Sequence, residues 1–556
     1  MPRFSLVIPT FRRADTLEHA LATLLAQPGP DVEIVVQNNG DDPATRDLLE
    51  RIDDVRLRHF HTDEPVSMTE NWESALAHAT GDFVTFVGDD DGLLPDACRI
   101  AATVLEAGAA EILSWQPLLY LWPGYWDESR RNRLEAAISF EVGVHVVRSR
   151  PLLARFYAFD AHYSKLPMIY NSFVKRSLID RVLARHGRYF FGSMPDVSSG
   201  IVDATFCDAF LKSTRPLSVA GLSHHSMGHR LARADERLSA EDRERHFPGL
   251  AGDGGLRSGS NLELMIAAET RLIDEQVVSK QADIAFSERG LVRAVASSIN
   301  NSPSQYDETK TAIGALMERL GIRQHEIAIP ARLDHPPAPA RGVHVLGPYE
   351  ILFVLDGDRI GLRSIADAVT LASQLVPPAD AMVAVESVDS DGDVPAVSTE
   401  PLLFARNRGG AEGLISGWGE PESWGSWSVD RESVLRVRLP SSDLARRVRL
   451  GLRYRTVPYP DGKPRLVECA IGDLTLERWQ FFESNSRGEL VIDVPADVTP
   501  GPFVELRFVN SNARSPQELG LGEDARPLGI GVEQIRVLAD SSPTTLESGN
   551  EQNEEE

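Results

Sequence analysis

Cysteine is nearly absent. The chain holds three in 556 residues, Cys98, Cys207 and Cys469. Their spacing matches neither a disulfide framework nor a thiolate metal site. A reducing, cytoplasmic compartment is therefore expected. Long apolar runs are missing too. No stretch reaches the length of a membrane-spanning helix, and the opening Met1-Pro2-Arg3-Phe4-Ser5 lacks a signal-peptide plan. Cations are outnumbered, 57 Lys and Arg against 82 Asp and Glu, for a formal net charge of −25. That sign argues against nucleic-acid binding and against strong attraction to anionic lipid. Repeats at solenoid spacing are not seen. What remains is an ordinary globular composition, on a chain long enough for two to four domains.

The N-terminal third alternates strand and helix. Apolar runs at Phe4–Ile8, Val32–Val36 and Phe83–Val87 read as strands, as does Arg56–His61. Between them, Leu17, Ala20, Leu21 and Leu24 recur at helical spacing, with Asp15 or Thr16 as cap, and helices follow around Ala44–Ile52 and Glu70–Ala79. This order predicts an α/β fold with a mostly parallel sheet and right-handed crossovers. The fourth strand runs into Gly88-Asp89-Asp90-Asp91-Gly92. Three successive carboxylates repel one another unless a cation offsets them, and carboxylate oxygens suit Mg²⁺ or Mn²⁺. A solvated acidic turn is the competing reading.

Three blocks, in order, carry a resemblance. Ser5-Leu6-Val7-Ile8-Pro9-Thr10-Phe11, then Val35-Val36 with Asn38-Asn39-Gly40, then Ala79–Phe86 followed by Asp89-Asp90-Asp91, resemble the opening of family 2 glycosyltransferases, over roughly residues 1–230. The resemblance implies a nucleotide-sugar-binding α/β domain. It implies a donor pocket lined by Pro9, Thr10, Arg12, Asn38 and Asp89. It implies metal ligation by Asp90 and Asp91, with Asp91 alternatively organising the loop. Asn38 stands where the family usually has aspartate, which leaves the base open among uridine, thymidine and guanosine. Gly88 replaces the usual first aspartate of the metal motif. Arg12 and Arg13 also read as a solvated pair.

Further on, Asp196 opens the apolar helix after Met194-Pro195. By the resemblance it would be the base on the acceptor hydroxyl; otherwise it only caps the helix. Asp203 and Asp208 are the weaker alternatives. Among His224, His225 and His229, His225 is the first choice for a metal or diphosphate ligand, against a plain loop. The aromatic cluster Trp122-Pro123-Gly124-Tyr125-Trp126 stacks on sugar or fills core.

The expected organisation is a catalytic domain at 1–260, a helical extension at 261–328, and a Pro-rich linker with a small strand–helix–strand segment at 329–400. Period-two strands then predict an antiparallel β-sandwich at 401–540, like modules on bacterial envelope-polysaccharide enzymes, before a disordered tail at 541–556. Trp418, Trp424 and Trp427 read as a sugar platform or as core.

The function expected is a metal-dependent inverting glycosyltransferase using Mn²⁺ or Mg²⁺. It would take a nucleotide diphosphate sugar as donor and a glycan or lipid-linked acceptor, in the cytoplasm or at the inner face of the membrane. Peripheral membrane association and a homo-oligomer are compatible with it. A nucleotidyltransferase and a non-catalytic glycan-binding protein are the alternatives.

Overall fold

The computed structural model describes residues 3–29, 31–140, 143–226, 261–278, 284–323, 327, 329–334, 338–346, 350–378, 385–386, 397–405, 410, 413–419, 421–439, 448–471, 474–495, 503–522, 524 and 526–538. His229, the charged segment 233–245, the Gly-rich stretch 250–260, most of the acidic stretch 387–400 and the tail lie outside the described residues. The chain divides into two compact units, Met1–Gly392 and Asp393–Glu556.

The first unit is α/β. Strands β1 (Phe4–Thr10), β2 (Val32–Asn38), β3 (Leu57–His61) and β4 (Phe83–Phe86) run parallel in the order β4-β1-β2-β3. β1 and β2 are buried on both faces, which is why they read as continuous apolar runs rather than alternating ones. Helices α1 (Ala14–Leu25), α2 (Pro43–Glu50) and α3 (Met68–His78) make the crossovers. Asp42 caps α2, accepting from Thr45 N at 3.0 Å, and Ser67 with Glu70 forms a capping box on α3. The N-cap of α1 is Arg13, with no side-chain cap bond, so neither Asp15 nor Thr16 caps it.

The same nine-stranded sheet then turns mixed. After the short β5 (Gly92–Leu93) and helix α4 (Ala97–Gly108), β6 (Ile112–Trp115) joins it. The apolar stretch Ile112–Leu121, expected as one β-like run, is broken at Gln116-Pro117. Its second half, β7 (Leu118–Leu121), enters a separate six-stranded sheet. Proline cannot donate to a ladder, so a continuous central strand is closed to this segment. Strands β8 (Arg133–Ser139) and β9 (Val144–Arg148) and helix α5 (Ser149–Tyr157) follow, then β10 (Ser172–Lys175), α6 (Arg176–His186), α7 (Pro195–Phe206), β11 (Ala209–Ser213) and β12 (Ser218–Leu222). β10 lies antiparallel between β4 and β6.

Helices α8 (Leu262–Ile273), α9 (Glu288–Ser298) and α10 (Tyr306–Leu320) pack together over Leu264, Leu291, Val295 and Ile313. The inner face of α8 also enters the main core through Met265, Ile266 and Ile273. β13 (Gly342–Val345) pairs with β14 (Glu350–Asp356), β14 pairs antiparallel with β8 over seven residues, and the short β15 (Val385–Glu386) pairs parallel with β9 at the edge of the nine-stranded sheet. Helix α11 (Ile365–Leu375) buries Ile365, Ala368, Val369 and Ala372 against this sheet. Most of the segment expected as linker is thus built into the first unit, because the apolar face of α11 and the edge of β8 complete each other. Among the described residues no helix is long and apolar enough to cross a membrane.

The second unit is a pair of antiparallel sheets around one core, a sandwich. β17 (Leu414–Ser416), β19 (Glu432–Arg438), β24 (Phe503–Asn510), β21 (Arg465–Ile471) and β22 (Leu474–Phe481) form one sheet. The other orders β16 (Leu402–Leu403), β25 (Ile530–Val537), β20 (Val448–Thr456) and β23 (Arg487–Val494), with β18 (Ser426–Trp427) on β25. Leu435, Val437, Leu450, Leu452, Leu506 and Phe508 face inward, while Arg436 pairs Glu505 across strands outside. The Trp418 indole donates to Val434 O and meets Phe508 edge-on. The Arg455 guanidinium lies 3.7 Å over the Trp424 ring, and Trp427 packs on Trp424 edge-wise. The face of Trp424 is spent on packing, which favours the core role for this cluster.

Candidate functional site

A cavity of about 560 Å³ opens at the C-terminal ends of β1 and β4, where open α/β sheets place their ligands. Pro9, Thr10, Arg13, Asp89, Asp90, Asp91 and Asp196 all line it.

The three aspartates are buried, and each is held differently. Asp89 accepts from Thr10 Oγ1 at 2.7 Å and pairs with Arg13 at 2.9 Å. Burial raises its carboxyl, Asp90 adds to that, and Arg13 and Thr10 oppose it. Asp90 Oδ2 accepts from Ser223 Oγ at 2.6 Å, from Ser226 Oγ at 2.8 Å and from Ser223 N at 3.3 Å. Its carbonyl accepts from the Trp122 indole at 3.0 Å. No hydrogen bond is made by Oδ1 of Asp90 among the described residues. Asp91 Oδ1 accepts from Gly221 N at 2.6 Å, Oδ2 from Gly88 N at 3.1 Å, and the Tyr170 hydroxyl also donates to this carboxyl. Burial, then the neighbouring Asp90, pushes the Asp91 carboxyl up to about 7. Asp91 therefore organises the loop, and Asp90 keeps an oxygen for a ligand.

Gly88 has a steric reason. A Cβ there would meet the Tyr170 hydroxyl at 2.5 Å and Asp91 Oδ2 at 2.7 Å. Gly221 is equally constrained, since its Cβ would sit 1.8 Å from Asp90 O. The glycine in place of the usual aspartate thus goes with Tyr170 in the space that a side chain would need.

Two sequence expectations for the donor side are displaced by one residue. Arg12 takes a left-handed backbone at φ 55°, stays exposed and covers Phe11; the turn brings Arg13 to the carboxylates instead. Asn38 is buried but does not line the cavity. Its amide exchanges hydrogen bonds with Asp42 N and O, closing the loop into α2. Asn39 lines the cavity in its place and is fixed by Val66 N at 2.8 Å and Val66 O at 3.0 Å.

Asp196 sits in the first turn of α7, inside the helix rather than at its cap, which is Met194. Burial raises its carboxyl, and the backbone amides of Val197 and Asp196 oppose that. Met194 holds the cap position itself, while the Asp196 carboxylate still accepts from amides of the first turn. Asp203 is fully buried, accepts from the Tyr189 hydroxyl at 2.6 Å and lies away from the cavity. Asp208 is exposed past the helix end. His225 is not on the cavity wall. Its Nε2 lies 3.5 Å from Asp15, its ring lies tilted against His224 with centroids 3.7 Å apart, and its carbonyl accepts from Arg13 at 2.6 Å. Asp15, His224 and His225 bring one ligand atom each within 4.8 Å of one another, separately from the aspartates. Tyr125 and Trp126 do line the cavity, and Trp122 is core.

Sequence reasoning missed Arg13's lead over Arg12, and missed Tyr170, Ser223, Ser226 and Glu263. Contacts across more than seventy residues hold the first four to the loop, and no local pattern encodes such distances.

Comparison with known proteins agrees with the geometry. A 115-residue stretch is 31% identical to GalNAc(5)-diNAcBac-PP-undecaprenol beta-1,3-glucosyltransferase of Campylobacter jejuni, covering 20% of this chain and 37% of that protein. A 112-residue stretch is 29% identical to the succinoglycan biosynthesis protein ExoO of Rhizobium meliloti, covering 20% and 32%. The match thus spans about a third of each relative's length. Among solved structures, S. aureus TarS 1-349 in complex with UDP-GlcNAc aligns at TM-score 0.36 and 14% identity, over 58% of this chain and 84% of that one. The mannosyltransferase PcManGT from Pyrobaculum calidifontis, in complex with GDP-Man and Mn2+, aligns at 0.31 and 17%, over 56% and 86%. Residues 5–173 match the sequence model of glycosyl transferase family 2.

Proposed function

We propose that the chain is a cation-assisted, inverting glycosyltransferase. It moves a sugar from a nucleoside diphosphate sugar to a hydroxyl of a glycan or lipid-linked acceptor in bacterial surface polysaccharide synthesis. The observation that carries this reading is the convergence of Asp89, Asp90, Asp91 and Asp196 on one cavity. The names of the two bacterial relatives, one acting on an undecaprenyl-linked saccharide and one in succinoglycan synthesis, support the acceptor class.

The donor set fits Mn²⁺ or Mg²⁺. Asp90 keeps Oδ1 available, its neighbours are carboxylates raised by burial and by mutual repulsion, and a hard dication relieves both. Bound there, the cation would offset negative charge on the donor diphosphate. Asp91 would join only by giving up a bond to Gly221, Gly88 or Tyr170. The orientation of His225 toward Asp15 takes it out of the first choice.

The chain's own residues do the rest. Arg13 and Thr10 hold Asp89 in place at the mouth of β1. Asp196 accepts the proton of the acceptor hydroxyl while that oxygen bonds to the anomeric carbon. The bond from that carbon to the diphosphate oxygen breaks, and its electron pair leaves with the nucleoside diphosphate. Burial raises the Asp196 carboxyl, which makes it a stronger base than a solvated one.

Asp196→Asn tests this reading. An amide cannot take the proton but keeps the shape, so turnover should fall by about 10²–10⁴ with donor affinity retained. An active Asn variant would move the base elsewhere.

A further inference from the structure

The far wall of the cavity, opposite the aspartate loop in sequence, comes from the helices after residue 260. Asn261, Glu263, Ser298, Asn301 and Ser302 line it. Helix α8 is firmly placed: Glu269 on its next turns accepts from Ser193 N at 2.8 Å, just ahead of Asp196, and Asn261 caps it by accepting from Glu263 N at 2.9 Å.

Glu263 has no role in the reaction described above. Its carboxylate has no hydrogen-bond or ion-pair partner among the described residues, although it is half-buried in the cavity wall. Burial pushes its carboxyl up. After burial itself, both Asp196 and Glu263 raise the phenol of Tyr163, which lines the cavity with them. A half-buried carboxylate without a protein donor is partly desolvated, and a ligand hydroxyl that donates to it recovers part of that cost.

The charges sort the ligand. Of the arginines lining the cavity, Arg13 pairs with Asp89, and Arg130 shares Glu135 with Arg133, at 3.4 Å, while its buried Nε has no partner among the described residues. The wall around Glu263 and Asp196 is otherwise amide, hydroxyl and aromatic: Asn261, Asn301, Ser302, Tyr163 and Trp126. Carboxylate, amide and ring faces together suit a neutral sugar, whose hydroxyls donate and whose C–H face stacks. A phosphate or carboxylate on the acceptor would face the carboxylates of Glu263 and Asp196, against which Arg130 Nε is the one buried guanidinium donor without a partner among these lining residues.

We propose that Glu263 reads the acceptor. It accepts a hydroxyl of a neutral acceptor sugar other than the hydroxyl delivered to Asp196, and it thereby selects neutral glycans over polyol phosphates. Glu263 is a specificity residue, and it takes no proton in the transfer. The inference rests on the transferase reading for the word acceptor, but sugar binding itself is measurable without turnover.

The test uses the full chain. Saturation-transfer NMR would measure binding of a panel of neutral mono- and disaccharides, with ribitol phosphate and glycerol phosphate as anionic probes. Wild type should bind at least one neutral sugar and neither phosphate. Glu263→Gln, with an unchanged melting temperature, should bind that sugar about ten- to a hundredfold more weakly, the size of a charge-assisted hydrogen bond. With a turned-over donor in hand, Glu263→Gln should raise the acceptor KM by a similar factor and leave kcat within about threefold. Glu263→Asp should recover part of the loss. Equal sugar binding by wild type and Glu263→Gln, tighter binding of a polyol phosphate, or no sugar binding by wild type would each overturn the assignment. If neutral sugar binds through Glu263 but no nucleotide sugar is ever turned over, the transferase reading fails and the assignment of Glu263 as a sugar ligand stands.

Discussion

At the scale of single residues, the site depends on what Gly88 leaves empty. Restoring the aspartate usual at this position in the family, Gly88→Asp, should damage the protein rather than improve it. The new Cβ would meet Tyr170 and Asp91 at 2.5 and 2.7 Å, and both are buried behind it. Overpacking of this kind costs roughly 1–3 kcal/mol, to be read as a lower denaturation midpoint and weaker cation binding. A Gly88→Asp protein that melts like wild type would show that Tyr170 moves aside freely. The residues legible in the sequence were those defined by chemistry plus local position. Asp89, Asp90, Asp91 and Asp196 were named for their carboxylates at an expected strand end and helix start, and all four line the cavity. Arg12 was misplaced because the pair Arg12-Arg13 is chemically identical, and only the left-handed turn at Arg12 decides which guanidinium enters. Asn38 was misplaced for a similar reason, because its amide serves Asp42 and the next amide reaches the cavity.

At the scale of elements, α7 carries Asp196 at one end and a buried Asp203 further along. Burial holds the Asp203 carboxyl well above its ordinary value, with the Tyr189 hydroxyl opposing that only in part. The native state therefore keeps a proton that the unfolded chain loses above about pH 4. With more protons bound in the native state, stability falls as pH rises, by about 1.4 kcal/mol per unit, until the native carboxyl ionises. Asp203→Asn removes that slope and keeps the acceptor for Tyr189. The gap in melting temperature between the variant and wild type should widen in the variant's favour from pH 5 to pH 8. Parallel curves would mean that Asp203 is ionised in the folded protein. Helices and strands with a clear period were readable because one or both faces are buried. The split of Ile112–Leu121 into two sheets was not, since a proline break says that a strand ends and not where the next one pairs. The pairing of β14 with β8 joins residues more than two hundred apart, which no local pattern specifies.

At the scale of the whole molecule, the sandwich has a core of its own, and Val397 belongs to it, buried and bonded through its amide to Arg438 O at 2.9 Å. A fragment begun at 393 should fold alone, with a single cooperative melt and strand-rich circular dichroism. One begun at 401 should be less stable by roughly 1–3 kcal/mol for the missing valine and its hydrogen bond. Failure of the 393–540 fragment to melt cooperatively would deny it independence. The alternating strands made this unit legible from sequence, because along β19 and β20 buried apolar residues such as Leu435, Val437, Leu450 and Leu452 alternate with arginines such as Arg436, Arg438, Arg449 and Arg453.

The central claim is that the aspartate loop at the end of β4 is a cation-assisted donor site. The most direct measurement is release of nucleoside diphosphate by the full chain from a panel of UDP-, dTDP- and GDP-sugars, with Mn²⁺ or with chelator. Wild type should turn over at least one donor with Mn²⁺ and lose that activity in chelator. Asp90→Ala should abolish it and weaken donor binding in the presence of Mn²⁺. Turnover by Asp90→Ala at a near-normal rate, or equal wild-type rates with and without chelator, would contradict the account.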